Sequence, residues 1–273
     1  MKICVLIPAY NCAHIIEEVI TRIALPGPLD EIIVVDDCSS DDTVTVASRF
    51  PRVHAVRNPT NLGYGGTSHR LYQLAIERQA DCTVTIHGDL GHRPEDVPQV
   101  LEPVCRGEYD IVLGSRLLYL INVGRQSGWL TLLSSKVRQG MPLNRALGHF
   151  GLTWFQNKCF GTELHSFHDG MRACTRPVME WIVRSQFSAW YHYDTDLILH
   201  AHLHGFRIGE VPVKPFYDGR PNSAAPSVRY GLRVVRYTLA ASRNAKRTPR
   251  SNRTPHSHTE METPKCCSRT DSL

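Results

Sequence analysis

Polar and acidic side chains stand at the ends of four apolar segments of this 273-residue chain. These ends read IPAYN at residues 7–11, VVDDCSSDDT at 34–43, IHGDLGH at 86–92 and LGSR at 113–116. Burying a carboxylate without a partner costs free energy, so carboxylates at such positions indicate a metal ion, a ribose or a base as ligand. A plainer alternative stays open for the four aspartates of the second segment, which could cap the helix that follows them.

The four segments belong to a regular alternation of strand-like and helix-like patterns. The apolar runs that predict buried strands are KICVLI, EIIVVDD, RVHAVRN, CTVTIHGD and YDIVLGSR. Helical spacing of apolar residues follows the early runs, as at Ile16, Val19 and Ile20. This alternation with short links predicts an α/β fold with a doubly wound, mainly parallel sheet. Ligands of such sheets bind beyond the carboxyl ends of the strands, where the polar segments lie.

The regular alternation of strand-like and helix-like patterns ends after residue 116. Residues 117–139 are interpreted as an insert, 141–160 as a helix, and the chain then returns to a strand, two helices and the strand RIGEVPV. We expect one domain over residues 1–240, made of a donor half over about 1–116, the insert 117–139 and an acceptor half over about 140–240.

Composition and charge exclude several classes of protein. Hydrophobic residues make up 42% and charged residues 21%, which is ordinary for a globular protein, and no apolar run reaches the roughly 18 residues that span a bilayer. Residues 241–273 hold seven Lys/Arg and three Asp/Glu, so +4 of the net charge of +5; we expect them to form a disordered basic tail. The rest is nearly neutral, which argues against a nucleic-acid partner. The start, MKICVLIPAYN, is too short for a signal peptide and predicts a cytoplasmic protein.

Six segments, in the same order, resemble those of family-2 glycosyltransferases, which have the A-type nucleotide-diphospho-sugar transferase fold. They are IPAYN, VVDDCSSDDT, NLGYGGTSHRL, IHGDLGHRPEDV, FHDGMRACTR and YHYDTDLILHAHLHGFRIGEVPV. The resemblance covers about residues 2–240 and is closest to the polyprenyl-phosphate branch, such as dolichyl-phosphate mannosyltransferases. It implies an inverting transfer from a nucleotide-diphospho-sugar to a polyprenyl phosphate, with Mn²⁺ or Mg²⁺ as the cation.

A lipid acceptor would bring the protein to a membrane surface as a peripheral protein. The insert residues Trp129, Leu130 and Leu133 would then contact the membrane interface or, alternatively, pack against the body. The sequence indicates neither the sugar donor nor an oligomeric state.

The resemblance also implies roles in the donor site. Pro8 and Tyr10 would line the nucleobase, with the Tyr10 ring as a stacking surface. Asp37 would contact the base or the ribose. Its neighbour Asp36 is the less suited of the pair, because successive side chains on a strand point to opposite faces.

The metal-binding loop departs from the family pattern. Asp89 would bind the cation that bridges the diphosphate, Gly88 lies in the same donor loop, and His87 stands where the family has its first aspartate. Residues two apart on a strand face the same side, so His87 and Asp89 could both bind the cation, and an imidazole would favour Mn²⁺ over Mg²⁺. Alternatively, His87 contacts only the donor or the backbone. The departure also leaves open a non-catalytic, nucleotide-binding relative.

Four further residues are candidates near the reacting phosphates. Arg116 in the donor site and Arg172 as a catalytic residue would clamp phosphate oxygens, because guanidinium groups match phosphate geometry. The alternatives are a surface charge for Arg116 and an internal ion pair with Asp169 for Arg172. If the acceptor were a soluble or protein hydroxyl, Asp169 and Asp194 would be the candidate general bases.

Overall fold

The computed structural model describes residues 1–25, 27, 30–134, 143–189, 192–216 and 227–247. The strands are β1 (Ile3–Ala9), β2 (Glu31–Asp36), β3 (Val53–Arg57), β4 (Cys82–Thr85), β5 (Ile111–Ser115), β6 (Arg172–Thr175) and β7 (Ile208–Pro212). The α-helices are α1 (Ile16–Thr21), α2 (Thr43–Ala47), α3 (Gly63–Glu77), α4 (Val97–Cys105), α5 (Arg116–Ser127), α6 (Leu143–Phe160), α7 (Arg176–Arg184), α8 (Tyr193–His204) and α9 (Ser227–Arg247). Short 3₁₀ helices cover Pro94–Asp96 and Trp129–Leu133.

The strands form one sheet in the order β3-β2-β1-β4-β6-β5-β7. β1 pairs in parallel with β2 and β4, β2 with β3, and β5 with β7. The predicted α/β fold with a mainly parallel sheet is therefore confirmed. One strand, β6, runs antiparallel to both of its neighbours, β4 and β5.

The antiparallel strand follows from where the chain arrives. β5 ends at the carboxyl edge of the sheet, and Asp169, which precedes β6, binds Arg116 at that same edge. β6 therefore starts at the carboxyl edge and must run back across the sheet. Asp169 and Gly170, just before β6, and Arg172, its first residue, therefore lie at the edge where the donor is expected.

Helices cover both faces of the sheet because the strand residues are apolar on both sides. Alternate residues of β1 show the division: Val5 and Ile7 pack with α1 and α4, whereas Cys4 and Leu6 pack with α3, α7 and α8. Burial on both faces is the expected property of parallel strands.

The insert and the predicted tail are both partly helical. Residues 117–134 form most of α5 and the turn Trp129–Leu133, and residues 135–139 lie outside the described residues. α9 lies against α6 and continues to Arg247, so it includes the first seven residues of the predicted tail, 241–247; the rest lies outside the described residues. Among the helices described, none is both long and apolar enough to cross a bilayer.

Candidate donor and catalytic site

Three strand ends at the carboxyl edge each turn through a left-handed residue. Asn11 follows β1 with φ 49°, Cys38 follows β2 with φ 61°, and Leu90 follows β4 with φ 55°. A non-glycine residue in this conformation costs about 1–2 kcal/mol, and such strained positions cluster at functional sites. Three of the four non-glycine residues with positive φ among the described residues therefore lie at this edge, the fourth being Gln79 after α3.

The residues predicted for the donor site at the ends of β1 and β2 lie together at this edge. The Tyr10 side chain is 56% exposed, and Pro8 is half-buried beside it. Asp36 is fully buried and accepts from the backbone N–H of Ser39, with Arg57 nearby at 3.6 Å. The prediction that the side chains of Asp36 and Asp37 point to opposite faces agrees with these contacts, because Asp37 contacts a different set of groups.

Asp37 is held by the segment that leads into α3. Its Oδ1 accepts from Asn58 Nδ2 and from the backbone N–H of Leu62, both at 2.8 Å. Of the four clustered aspartates, only Asp41 accepts from the first residue of α2 among the described hydrogen bonds, through the Thr43 N–H. The capping alternative therefore does not describe the pair at the strand end, and Asp42, the N-cap residue of α2, makes no side-chain cap hydrogen bond.

His87, Gly88 and Asp89 continue from β4 along the end of β1. The Gly88 N–H donates to the carbonyl of Pro8 at 3.3 Å, and Asp89 Oδ1 accepts from the N–H of Gly91 at 2.9 Å. A Cβ added at Gly88 would lie 3.2 Å from Cys12 Sγ, so the loop is packed closely. Asp89 is half-buried and keeps its other carboxylate oxygen outside these contacts.

His87 is held at its Nε2 edge by Tyr64. His87 Nε2 lies 3.1 Å from Tyr64 Oη, which in turn donates to Asp194 Oδ1 at 2.9 Å. Burial, followed by the nearby Asp194 charge, raises the pKa of Tyr64 well above its ordinary value, so the hydroxyl keeps its proton. Sequence analysis missed Tyr64, since nothing in the chain indicates that it meets a histidine 23 residues away.

Arg172 is a buried ion-pair residue in this structure. It is 0% exposed, binds Asp194 through Nη1 and donates from Nε to Tyr72 Oη at 3.0 Å. An internal ion pair is one of the two interpretations of Arg172 from the sequence. The structure shows such a pair, with Asp194 as the partner instead of Asp169. Its role as a phosphate clamp stays a prediction, and one that this enclosure does not favour.

Asp169 pairs instead with Arg116. Its Oδ1 lies 2.5 Å from Arg116 Nη2, and its Oδ2 accepts from the backbone N–H of Arg116 at 3.0 Å. Burial alone would raise the pKa of Asp169, but the Arg116 guanidinium holds it below its ordinary range. Arg116 is only 12% exposed, so the alternative of a surface charge does not describe it.

The sequence analysis also missed His92, which lies between His87 and Asp169. Its ring is edge-on to that of His87 at 5.5 Å, and its Nε2 is 4.0 Å from Asp169 Oδ1. Both ring nitrogens are buried without a hydrogen bond among the described residues. Burial, then the charge of Arg116, lowers the pKa of His92 well below its ordinary value, so the ring is neutral.

The free energy of unfolding should fall as the pH drops from about 6.5 towards 3, in part because of His168. Burial, followed by His149, lowers the pKa of His168 to about 3, whereas an unfolded histidine has a pKa of about 6.5. The unfolded chain therefore binds the proton first, so this stabilisation is present above pH ~6.5 and lost on acidification. Denaturant unfolding across pH should show a slope that is smaller in His168→Asn by up to about 1.4 kcal/mol per pH unit. A slope as steep as that of the wild type would contradict this, and the exposed His14→Asn serves as control.

The chain is similar in sequence to a family of known proteins and to individual members of it. Residues 4–165 match the family model described as Glycosyl transferase family 2. The chain is similar to a UDP-N-acetylglucosamine–dolichyl-phosphate N-acetylglucosaminyltransferase of Methanococcus voltae, with 25% identity over 84% of this chain and 91% of the other. It is also similar to an undecaprenyl-phosphate mannosyltransferase of Micrococcus luteus, with 27% identity over 78% and 83%.

Solved structures show the same fold. Glucosyl-3-phosphoglycerate synthase from Mycobacterium tuberculosis, crystallised with Mn²⁺, UDP and glucosyl-3-phosphoglycerate, superimposes with a TM-score of 0.60 and 24% identity over 92% of this chain and 81% of the other. The same enzyme with Mg²⁺ and UDP gives a TM-score of 0.58. These structures support the arrangement of the sheet and helices described above.

Proposed function

Since this chain belongs to glycosyltransferase family 2, we propose that it transfers a sugar from a nucleotide-diphospho-sugar to a polyprenyl phosphate at a membrane surface. Family membership supports the reaction class. The named relatives carry dolichyl phosphate and undecaprenyl phosphate in their names, and the structural neighbour was crystallised with UDP.

The state of the two candidate bases supports a phosphate acceptor most directly. Asp169 is paired with Arg116, and Asp194 is paired with Arg172. A hydroxyl acceptor must lose a proton during transfer, so its site needs a general base. A phosphate monoester has a second pKa of about 6 and is already an anion at neutral pH. A site in which both aspartates are neutralised by arginine therefore suits an acceptor that needs no base.

The proposed reaction is a single displacement. An oxygen of the acceptor phosphate forms a bond to the anomeric carbon, while the bond from that carbon to the diphosphate breaks. The electron pair leaves with the nucleoside diphosphate, the configuration is inverted, and no proton changes place. Asp37 and the exposed ring of Tyr10 would hold the nucleoside, which leaves the diphosphate near the loop of Asp89.

The loop after β4 fits a cation that is bound together with a diphosphate. In the part of the chain that the structure describes, no three His, Cys, Asp or Glu side chains converge as a metal cage. Mg²⁺ commonly takes only one or two protein ligands and completes its shell with substrate phosphate oxygens, which matches what Asp89 and His87 can offer. Bound there, a divalent cation would neutralise the charge that develops on the leaving diphosphate.

The acceptor side carries a surface suited to anionic lipid. The turn Trp129–Leu133 contacts α5, α5 contacts α6, and α6 contacts α9. Their exposed apolar side chains are Trp129, Leu130, Leu133, Leu143, Leu147, Trp154, Leu232 and Leu239. α9 has six Lys/Arg and no Asp or Glu. A basic helix with exposed leucines is typical of a helix that lies at a membrane interface.

Removing two exposed arginines of α9 should weaken binding to anionic vesicles. Each basic residue near such a surface contributes about 1 kcal/mol, so Arg233→Gln with Arg236→Gln should lower the partition coefficient about 30-fold. Vesicle co-sedimentation at low and high salt measures the effect, which should shrink as salt screens the charges. Arg106→Gln with Arg184→Gln makes the same charge change at two exposed positions, just after the end of α4 and on α7. An equal loss in that control would place the membrane contact elsewhere.

An acceptor assay tests the proposed function. The full chain is incubated with Mn²⁺, a panel of nucleotide sugars that includes GDP-mannose and UDP-glucose, and a polyprenyl phosphate in vesicles. We expect one donor to yield a lipid-linked sugar phosphate. Transfer to a soluble hydroxyl acceptor, with none to the lipid, would contradict the proposed acceptor. Nucleotide binding with neither transfer nor hydrolysis of any donor would instead support the non-catalytic relative that His87 leaves open.

A further inference from the structure

His87 makes its hydrogen bond through one ring nitrogen only. Nε2 lies 3.1 Å from Tyr64 Oη, and none of the hydrogen bonds among the described residues involves Nδ1. The tautomer of the neutral ring is therefore decided by the neighbour to which Tyr64 donates its hydroxyl proton.

Tyr64 has one hydroxyl proton and two polar neighbours. Asp194 Oδ1 lies 2.9 Å from Tyr64 Oη and also accepts from Arg172. A carboxylate paired with arginine can only accept, so the Tyr64 proton must point to Asp194. Tyr64 Oη then presents a lone pair to His87, and His87 Nε2 must be the donor. In the neutral ring the proton is thus on Nε2, and Nδ1 carries a lone pair.

Packing keeps the ring in this orientation. A Cβ added at Gly170 would lie 2.1 Å from His87 Nε2, so the Nε2 edge rests directly against the Gly170 backbone. The rings of Tyr64 and His92 lie edge-on to His87 at 5.1 Å and 5.5 Å. The ring is therefore held on three sides, and it cannot turn over about the Cβ–Cγ bond, which would take Nε2 away from Tyr64 Oη, without displacing a neighbour.

We propose that Tyr64, anchored by Asp194, is a positioning residue that holds the proton of His87 on Nε2 and so presents Nδ1 as a lone-pair donor to the diphosphate–metal complex of the donor. This inference rests on the proposed function for the ligand that Nδ1 meets. Imidazole nitrogen suits Mn²⁺ better than Mg²⁺, which prefers oxygen. Second contacts of this kind fix the tautomer of histidine ligands, and their loss commonly costs 10–100-fold in metal affinity.

Tyr72 provides a matched control for Tyr64. Tyr72 is a buried tyrosine whose hydroxyl accepts from Arg172 Nε at 3.0 Å, and Arg172 in turn binds Asp194, the partner of Tyr64. Its other hydroxyl contacts are Thr85 and Cys174 rather than His87. Tyr72→Phe and Tyr64→Phe therefore remove the same group from the same cluster, and only Tyr64→Phe removes the partner of His87.

The first experiment reads the tautomer directly, without donor or metal. Long-range ¹H–¹⁵N spectra of the full chain are recorded well above the ordinary histidine pKa of about 6.5, and His87 is assigned by its loss in His87→Asn. We expect the Nε2–H pattern in the wild type and in Tyr72→Phe, and a mixture of tautomers in Tyr64→Phe. An Nδ1–H pattern in the wild type, or an equal change in Tyr72→Phe, would overturn the inference.

The second experiment measures the affinity for UDP and for GDP by calorimetry, with Mn²⁺ and with Mg²⁺. Tyr64→Phe should weaken Mn²⁺-dependent binding by about tenfold or more, while Tyr72→Phe stays near the wild type. Equal Mn²⁺-dependent affinity in the two variants would overturn the role of Tyr64, even if nucleotide binds. If neither nucleotide binds the wild type, the proposed donor class fails, and the tautomer spectra still test the relation between Tyr64 and His87.

Discussion

Asp89→Asn should abolish metal-dependent binding of the nucleotide-sugar donor. Asp89 is the only carboxylate in the loop from His87 to His92, and it lies half-buried at the carboxyl edge of the sheet. Loss of a residue that merely orients a metal ligand costs 10–100-fold in affinity, so loss of a carboxylate ligand should cost about a hundredfold or more. Calorimetry with and without Mn²⁺ measures the donor affinity of wild type and variant.

A matched variant separates the metal from a general effect of charge. Asp81→Asn makes the same change next to the first residue of β4, at the opposite end of that strand. It should leave Mn²⁺-dependent binding unchanged. His87→Asp should raise the affinity measured with Mg²⁺, because it replaces a nitrogen ligand by oxygen. Metal-dependent binding that survives in Asp89→Asn would remove this loop from the donor site.

Asp194→Asn should destabilise the protein by about 3–5 kcal/mol. Asp194 is 6% exposed, and its partner Arg172 is completely buried. Arginine cannot lose its proton in a protein, so the variant leaves a buried positive charge without a counter-ion. Urea unfolding followed by tryptophan fluorescence measures the loss.

Two further variants test whether the buried pair is the cause. The double variant Asp194→Leu with Arg172→Met removes both charges and should recover part of the stability, because replacing a buried pair by apolar groups is often neutral. Asp110→Asn breaks an exposed pair with Arg207 at 2.9 Å and should cost less than about 1 kcal/mol. A similar cost for Asp194→Asn and Asp110→Asn would show that burial of the pair contributes little.

The family and the architecture could be predicted from the chain because their signals are local. A buried strand needs only a short apolar run, and a covering helix needs only its apolar spacing, so KICVLI and the residues after it indicate β1 and α1. The polar segments follow the strands directly, and parallel strands bring their carboxyl ends to one edge. The position of Tyr10, Asp37 and Asp89 at that edge follows from the same rule.

The pairing of charges inside the site depended on the tertiary structure. Asp169 meets Arg116 across 53 residues, and Tyr64 meets Asp194 across 130. Both contacts exist because β6 enters antiparallel between β4 and β5 and because α8 packs behind α3. No apolar periodicity records the order of strands in a sheet, so the sequence suggested Asp169 as the ion-pair partner of Arg172, where the structure has Asp194.

The sequence was sufficient to indicate a family-2 glycosyltransferase, the sheet edge where its donor is expected and the loop of His87 and Asp89, since each signal lies in a short contiguous stretch. The folded chain decided which carboxylates are neutralised by arginine and which atom of His87 is engaged by Tyr64. The groups involved come within hydrogen-bond distance only in the folded protein, where burial strengthens each charge interaction.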